Sequence, residues 1–122
     1  MPKLLIVEDN RIFREILKEA LASILPSMDI EESEDGKDVL RKIEEHNFDL
    51  IFMDIQLPEE NGLALTKKIK SLHAHIPVII ITGYDTVDYR QAAAEAGADF
   101  FFSKKDFKSS DITGLVESLL NY

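Results

Sequence analysis

The sequence predicts an α/β fold, a doubly wound parallel sheet of five strands and five helices, from three observations. Short apolar runs alternate in strict order with stretches of helical periodicity. The runs are hydrophobic at every position, as strands covered on both faces must be. Polar residues follow several strands at once, where a parallel sheet gathers its functional groups. Right-handed crossovers with helices on both sides complete the sandwich.

Each element has its own signal. Leu4-Leu5-Ile6-Val7 is the first strand, and Ile12, Phe13, Ile16, Leu17, Ala20, Leu21 and Ile24 repeat at helical spacing over 10–25 until Pro26 stops the helix. A weaker strand at 28–31 precedes Gly36, after which Val39, Leu40 and Ile43 mark the second helix. Leu50-Ile51-Phe52-Met53 is the third strand. Residues 57–62 read as a turn, and 63–71 as a helix with Leu65 and Ile69 inward. Val78-Ile79-Ile80-Ile81 is β-branched throughout and stops at Thr82-Gly83. Residues 88–96 are Ala-rich and helical, and Gly97 suits a left-handed cap. Phe100-Phe101-Phe102 is the fifth strand and 112–120 the fifth helix.

A chain of 122 residues fits one domain, spanning 1–122, and buries about two thirds of its unfolded surface on folding. With 45% hydrophobic and 30% charged residues it is neither disordered nor fibrous by composition. The net charge of −9 argues against direct nucleic-acid binding, which needs clustered Lys and Arg. The absence of cysteine excludes disulfides, zinc-thiolate sites and thiol chemistry, and suits a cytoplasmic protein. The apolar run after Lys3 is shorter than a signal-peptide core of about 7 to 15 residues. No run approaches the ~20 residues of a membrane span, so no membrane role is expected.

The polar residues at the strand ends are Glu8 and Asp9, Asp54, Thr82, and Ser103 with Lys104. If the first and third strands are neighbours, Glu8, Asp9 and Asp54 converge. Like charges about 5 Å apart repel by roughly 3 kcal/mol at an effective dielectric of about 20. Lys104 offsets one charge, and a divalent cation would neutralise the rest. An oxygen-only site with few protein ligands describes Mg²⁺ better than a closed Ca²⁺ cage. A carboxylate, a metal, a lysine and a hydroxyl around one point suit phosphoryl transfer onto a carboxylate. Asp54, ending the central buried strand, is the best nucleophile.

These residues resemble a family. Leu5-Ile6-Val7-Glu8-Asp9-Asn10, Met53-Asp54-Ile55-Gln56-Leu57-Pro58 with Gly62, Ile80-Ile81-Thr82-Gly83, and Gly97-Ala98-Asp99 leading to Ser103-Lys104 look like the receiver domain of two-component response regulators. The resemblance covers nearly the whole chain. It implies a flavodoxin-like sheet in the order 2-1-3-4-5, and a phosphoacceptor rather than a turnover enzyme. Asp54 would take a phosphoryl group from a histidine kinase or histidine phosphotransfer protein. Asp9, Asp54 and the backbone carbonyl of Gln56 would bind Mg²⁺, with Glu8 acting mainly through a metal-bound water. Lys104 would pair with Asp54 at rest and with a phosphoryl oxygen afterwards. Thr82 would move toward the phosphoryl group, Phe101 would be the switch aromatic, and the fourth helix, fifth strand and fifth helix would form the repacked face. Gln56 and Tyr84 would border the path of the hydrolytic water, with Tyr84 shielding the acyl phosphate. The output would lie in a domain beyond Tyr122 or in a separate effector protein.

One departure bears on the site. Where the family often has a proline after the lysine, in a cis peptide, this chain has Lys105, so the Lys104–Lys105 bond is trans with an adjusted loop or a strained cis, and Lys105 competes for the role of Lys104. The alternative function is a degenerate receiver acting as a static interaction module. A hydrolase of the haloacid dehalogenase kind would want Asp where Gln56 stands. A nucleotide- or flavin-binding module would want a phosphate loop where Glu8-Asp9-Asn10 stands. His73 and His75 read as surface residues, and the acid run Glu31, Glu32, Glu34 and Asp35 as a solvated loop.

Overall fold

The computed structural model describes residues 2–24 and 26–121. The chain runs β1 (Lys3–Val7), α1 (Arg11–Ala22), β2 (Asp29–Ser33), α2 (Val39–Glu45), β3 (Leu50–Met53), α3 (Gly62–Leu72), β4 (Val78–Thr82), α4 (Val87–Glu95), β5 (Phe100–Ser103), a short 3-10 turn (Lys104–Asp106) and α5 (Ser109–Leu120). All neighbouring strands pair parallel, in the order β2-β1-β3-β4-β5. The doubly wound sheet expected from the sequence is the fold.

Successive side chains of a strand point to opposite faces, and here both faces are covered. Leu5, Val7, Ile51, Met53, Val78 and Ile80 pack with Val39 and Ile43 of α2, Leu65 and Ile69 of α3, and Ala93 of α4. Leu4, Ile6, Leu50, Phe52, Ile79 and Ile81 pack with Leu17 and Leu21 of α1 and Ile112 and Val116 of α5. This is why β1, β3 and β4 are apolar at consecutive positions. The register sets the site: Val7 lies beside Met53, so Glu8 and Asp54 leave adjacent strands at one level. Thr82 lies beside Ser103, which brings the ends of β4 and β5 to the same rim.

Boundaries differ from expectation where charge or capping overrides hydrophobic pattern. β2 spans Asp29–Ser33 rather than 28–31, and the acid run is not simply a solvated loop, because Glu31 and Glu32 lie within the strand. An edge strand tolerates such charges when cations line it: Lys3 lies 3.1 Å from Glu31, and Arg14 and Lys18 lie 3.0 and 3.2 Å from Glu32. Glu34 also pairs with Arg14, at 3.1 Å. α1 ends at Ala22, where the Ser23 hydroxyl donates to the Ala20 carbonyl at 2.6 Å; Leu25, expected to end the helix, falls outside the described residues. α5 starts at Ser109, ahead of the expected 112, because its polar first turn faces solvent. Gly97 follows α4 at φ +97°, the left-handed conformation that a helix-ending glycine supplies.

Candidate functional site

Glu8 is the first residue beyond β1, and the chain turns at once into α1. The Asn10 side chain caps that helix by accepting from the Phe13 N–H at 3.0 Å, and the Asn10 N–H donates to Glu8 Oε2 at 3.0 Å. Arg14, buried on α1, donates to the Glu8 backbone carbonyl at 2.8 Å. The main chain carrying the two acids is thus held from both ends of the first helical turns. Asp54 emerges from β3 alongside, its N–H donating to the Val7 carbonyl at 3.0 Å. The turn after Asp54 closes tightly: the Gly62 N–H donates to the Ile55 carbonyl at 2.6 Å, and a Cβ on Gly62 would collide with the Asp54 carbonyl oxygen.

Carboxylate oxygens of Glu8, Asp9 and Asp54 lie within 4.8 Å of one another. Glu8 and Asp54 are buried, whereas Asp9 is exposed. Lys104 Nζ sits 2.7 Å from Glu8 Oε1 and 3.2 Å from Asp54 Oδ2. The resemblance implied a resting pair with Asp54; the ammonium bridges both acids and stands nearer Glu8. Burial pushes the Glu8 carboxyl up to about 7, with the Asp54 charge adding to the rise and Lys104 and the Asn10 amide opposing it. Burial works against the Lys104 ammonium, yet its contacts with Glu8 and Asp54 outweigh that and raise its pKa. The Phe13 ring centroid lies 4.7 Å from Lys104 Nζ, and Phe13 meets Phe107 edge-on at 5.3 Å, so aromatic contacts flank the turn that carries the lysine.

The donor set fits a hard divalent cation. It is oxygen-only and carries three carboxylates against one lysine. Asp54 Oδ1 is buried with no hydrogen-bond partner among the described residues. The Gln56 side chain is exposed while its backbone bridges to Asn61 in the turn after Asp54.

Thr82 ends β4 fully buried, its hydroxyl accepting from the Tyr84 N–H at 3.2 Å. Tyr84 is exposed, tilted against Tyr89 with centroids 5.2 Å apart, and shares with Gln56 an open cleft of about 420 Å³ beside the carboxylates' loop. Phe101 is half-buried on the α4 side of the sheet, with the Arg90 guanidinium 4.6 Å from its ring centroid. Every peptide bond among the described residues is trans, the Lys104–Lys105 bond included. Lys105 points elsewhere, 3.7 Å from Asp85. His73 faces Glu44 at 3.0 Å, away from this rim, and His75 is exposed.

The sequence gives no site role to Arg14 or Asp85, places Phe13 only on the apolar stripe of the first helix, and names Ser103 only as a strand-end polar residue. Arg14 had a legible signal, a cation between Phe13 and Leu17 on the apolar stripe of α1. The other three depend on contacts between distant segments.

The family model of the response regulator receiver domain matches residues 4–117. The chain belongs to this family. Response regulator MprA of Mycolicibacterium vanbaalenii is 28% identical over 118 residues, 97% of this chain and 50% of MprA. The DNA-binding transcriptional regulator NtrC of Escherichia coli K12 is 32% identical over 117 residues, 96% of this chain and 24% of NtrC. The receiver therefore spans half the length of one relative and about a quarter of the other. The crystal structure of a CheY-like response regulator receiver domain protein from Methanospirillum hungatei superposes with a TM-score of 0.88 at 26% identity, covering 99% of this chain and 94% of that one. No helix among the described residues is long and apolar enough to cross a membrane.

Proposed function

We propose that this receiver is the phosphoacceptor of a two-component phosphorelay, with Asp54 as the acceptor. The observation that carries the reading is the buried Asp54 carboxylate, one oxygen 3.2 Å from Lys104 Nζ and the other unpartnered among the described residues, beside Glu8 and Asp9. An Asp54 oxygen attacks the phosphorus of a phosphohistidine on a histidine kinase or phosphotransfer protein. The P–N bond breaks, its electron pair stays on the imidazole, and that nitrogen takes a proton from solvent. Asp9, Asp54 and the Gln56 carbonyl would hold Mg²⁺, with Glu8 behind them. When bound, the ion supplies the positive charge that the surplus carboxylates and the phosphoryl oxygens call for.

The chain's own groups do the rest. Lys104 shifts from the acid pair to a phosphoryl oxygen as Asp54 goes from −1 to about −2, and the Thr82 hydroxyl moves toward the same charge. Phe101 then repacks and changes the α4, β5 and α5 face. Tyr84 and Gln56 border the water path to the acyl phosphate. The domain acts in the cytoplasm, on an output domain of the same protein or a separate effector, without contacting nucleic acid or membrane itself.

The test is labelling with phosphoramidate or acetyl phosphate in Mg²⁺. The expected result is one acid-stable, base-labile phosphoryl group per chain, absent without Mg²⁺ and absent in Asp54→Asn. A chain that takes no label is a static interaction module, and label surviving in Asp54→Asn moves the acceptor elsewhere.

A further inference from the structure

We infer that Ser103 and Asp85 form a positioning bridge that ties the loop after Thr82 to the turn carrying Lys104, so that the two groups meeting the phosphoryl oxygens are aimed together. The inference rests on the acceptor reading of Asp54 and extends it to residues outside the acidic cluster.

Ser103 is 4% exposed, and its hydroxyl is used in both directions. It donates to Asp85 Oδ2 at 2.9 Å and accepts from the Lys105 N–H at 3.1 Å. The second bond caps the 3-10 turn of Lys104–Asp106, and so fixes the backbone from which the Lys104 side chain reaches Glu8 and Asp54. The first bond reaches across to the segment that leaves β4. There Asp85 lies three residues beyond Thr82, whose hydroxyl accepts from the Tyr84 N–H. Lys105 closes the loop from outside, 3.7 Å from Asp85 Oδ1. The Ser103 bond is the main reason the Asp85 carboxyl stands below its ordinary pKa, with Lys105 assisting against partial burial.

In the sheet Thr82 and Ser103 are register partners, so their backbones are already side by side. The side-chain bridge carries that pairing beyond the last ladder position, where neither segment has further strand bonds. Without the Ser103 hydroxyl, the Asp85 carboxylate loses its tie to β5 and keeps the longer contact to the exposed Lys105, its backbone carbonyl still accepting from Arg90 Nε at 3.4 Å, and the Lys105 N–H loses its acceptor. Both segments then choose their positions independently. Displacements of about 1 Å at a reacting centre slow chemistry by up to about 100-fold.

The experiment measures phosphoramidate labelling of the whole chain at saturating donor, with half-saturating Mg²⁺ determined for each variant. Ser103→Ala and Asp85→Ala should each lower the maximal labelling rate constant about tenfold. Half-saturating Mg²⁺ should not rise above the wild-type value, because Glu8, Asp9 and Asp54 are untouched and a displaced Lys104 ammonium competes less for their oxygens. The double variant should be no slower than the slower single, since both act through one bond. Wild-type rates in Ser103→Ala, multiplying losses in the double variant, or a loss of Mg²⁺ binding in step with the rate would each overturn the bridge. Asp85→Ala alters a partly exposed loop residue, and so carries the same test should Ser103→Ala unfold. A wild-type chain that takes no label overturns the acceptor reading and the bridge together, whereas label in the wild type with equally fast Ser103→Ala overturns the bridge alone.

Discussion

At the scale of single residues, the site depends on what is missing from a glycine as much as on its charges. A Cβ at Gly62 would overlap the carbonyl oxygen of Asp54, which is backbone and cannot swing aside. Gly62→Ala should therefore lower stability by about 1–3 kcal/mol in urea unfolding and slow phosphorylation as the Asp54 main chain is displaced. Gly83, where an added methyl meets nothing within 4 Å, is the control, and its alanine variant should stay within about 0.5 kcal/mol of wild type. Equal losses at the two positions would refute the collision. Tyr84 makes a different kind of prediction. Its ring is exposed and leans on Tyr89 in the cleft shared with Gln56, and under the proposed function it would shield an acyl phosphate on Asp54. Tyr84→Ala should speed autodephosphorylation several-fold after donor removal, and an unchanged decay rate would show that the ring shields nothing.

Among the secondary-structure elements, burial is spread unevenly, and that governs both mobility and legibility. α1 buries Leu17 and Leu21, α3 buries Leu65 and Ile69, but α4 buries only Ala93. With roughly 0.8 kcal/mol per buried methylene, a helix held by one methyl group opens more readily than one held by two leucine-sized side chains. Hydrogen exchange should find amides late in α4 exchanging at least about tenfold faster than those late in α3; equal protection would remove α4 as the easily moved part of the proposed output face. The same imbalance explains what could be read in the chain. β1, β3 and β4 are buried on both sides and announce themselves as apolar runs. β2 is an edge strand whose Glu31 and Glu32 are neutralised by cations far away in sequence, and α5 begins in a turn of polar residues. The strand-end acids were legible because a parallel sheet directs them to one rim. Arg14 stood out as a cation on the apolar stripe of α1, but its bond to the Glu8 carbonyl and the Ser103 contact with Asp85 were not legible, since only the folded chain brings those partners together.

Across the whole molecule, a net charge of −9 is concentrated further at this rim, where Glu8, Asp9 and Asp54 face a single ammonium. Such a domain is held back by its own charge, so any ligand that neutralises the rim in the folded state alone must stabilise it. At free Mg²⁺ about 100 times its dissociation constant, linkage gives about 2.7 kcal/mol. For a chain of this size that corresponds to a rise in thermal midpoint of about 10 °C. NaCl at matched ionic strength should give only a small part of the shift, because general screening does not assemble ligands around one ion. Asp54→Asn should lose most of it. Lys104→Met separates two effects that wild type combines. Without Mg²⁺ the variant should melt lower, since Glu8 and Asp54 then face each other with no counter-charge; with Mg²⁺ its midpoint should rise by more than the wild type's, since the ammonium no longer competes for the same oxygens. If NaCl matched Mg²⁺, or if Lys104→Met gained less than wild type, the lysine and the cation would not be rivals for one acidic site.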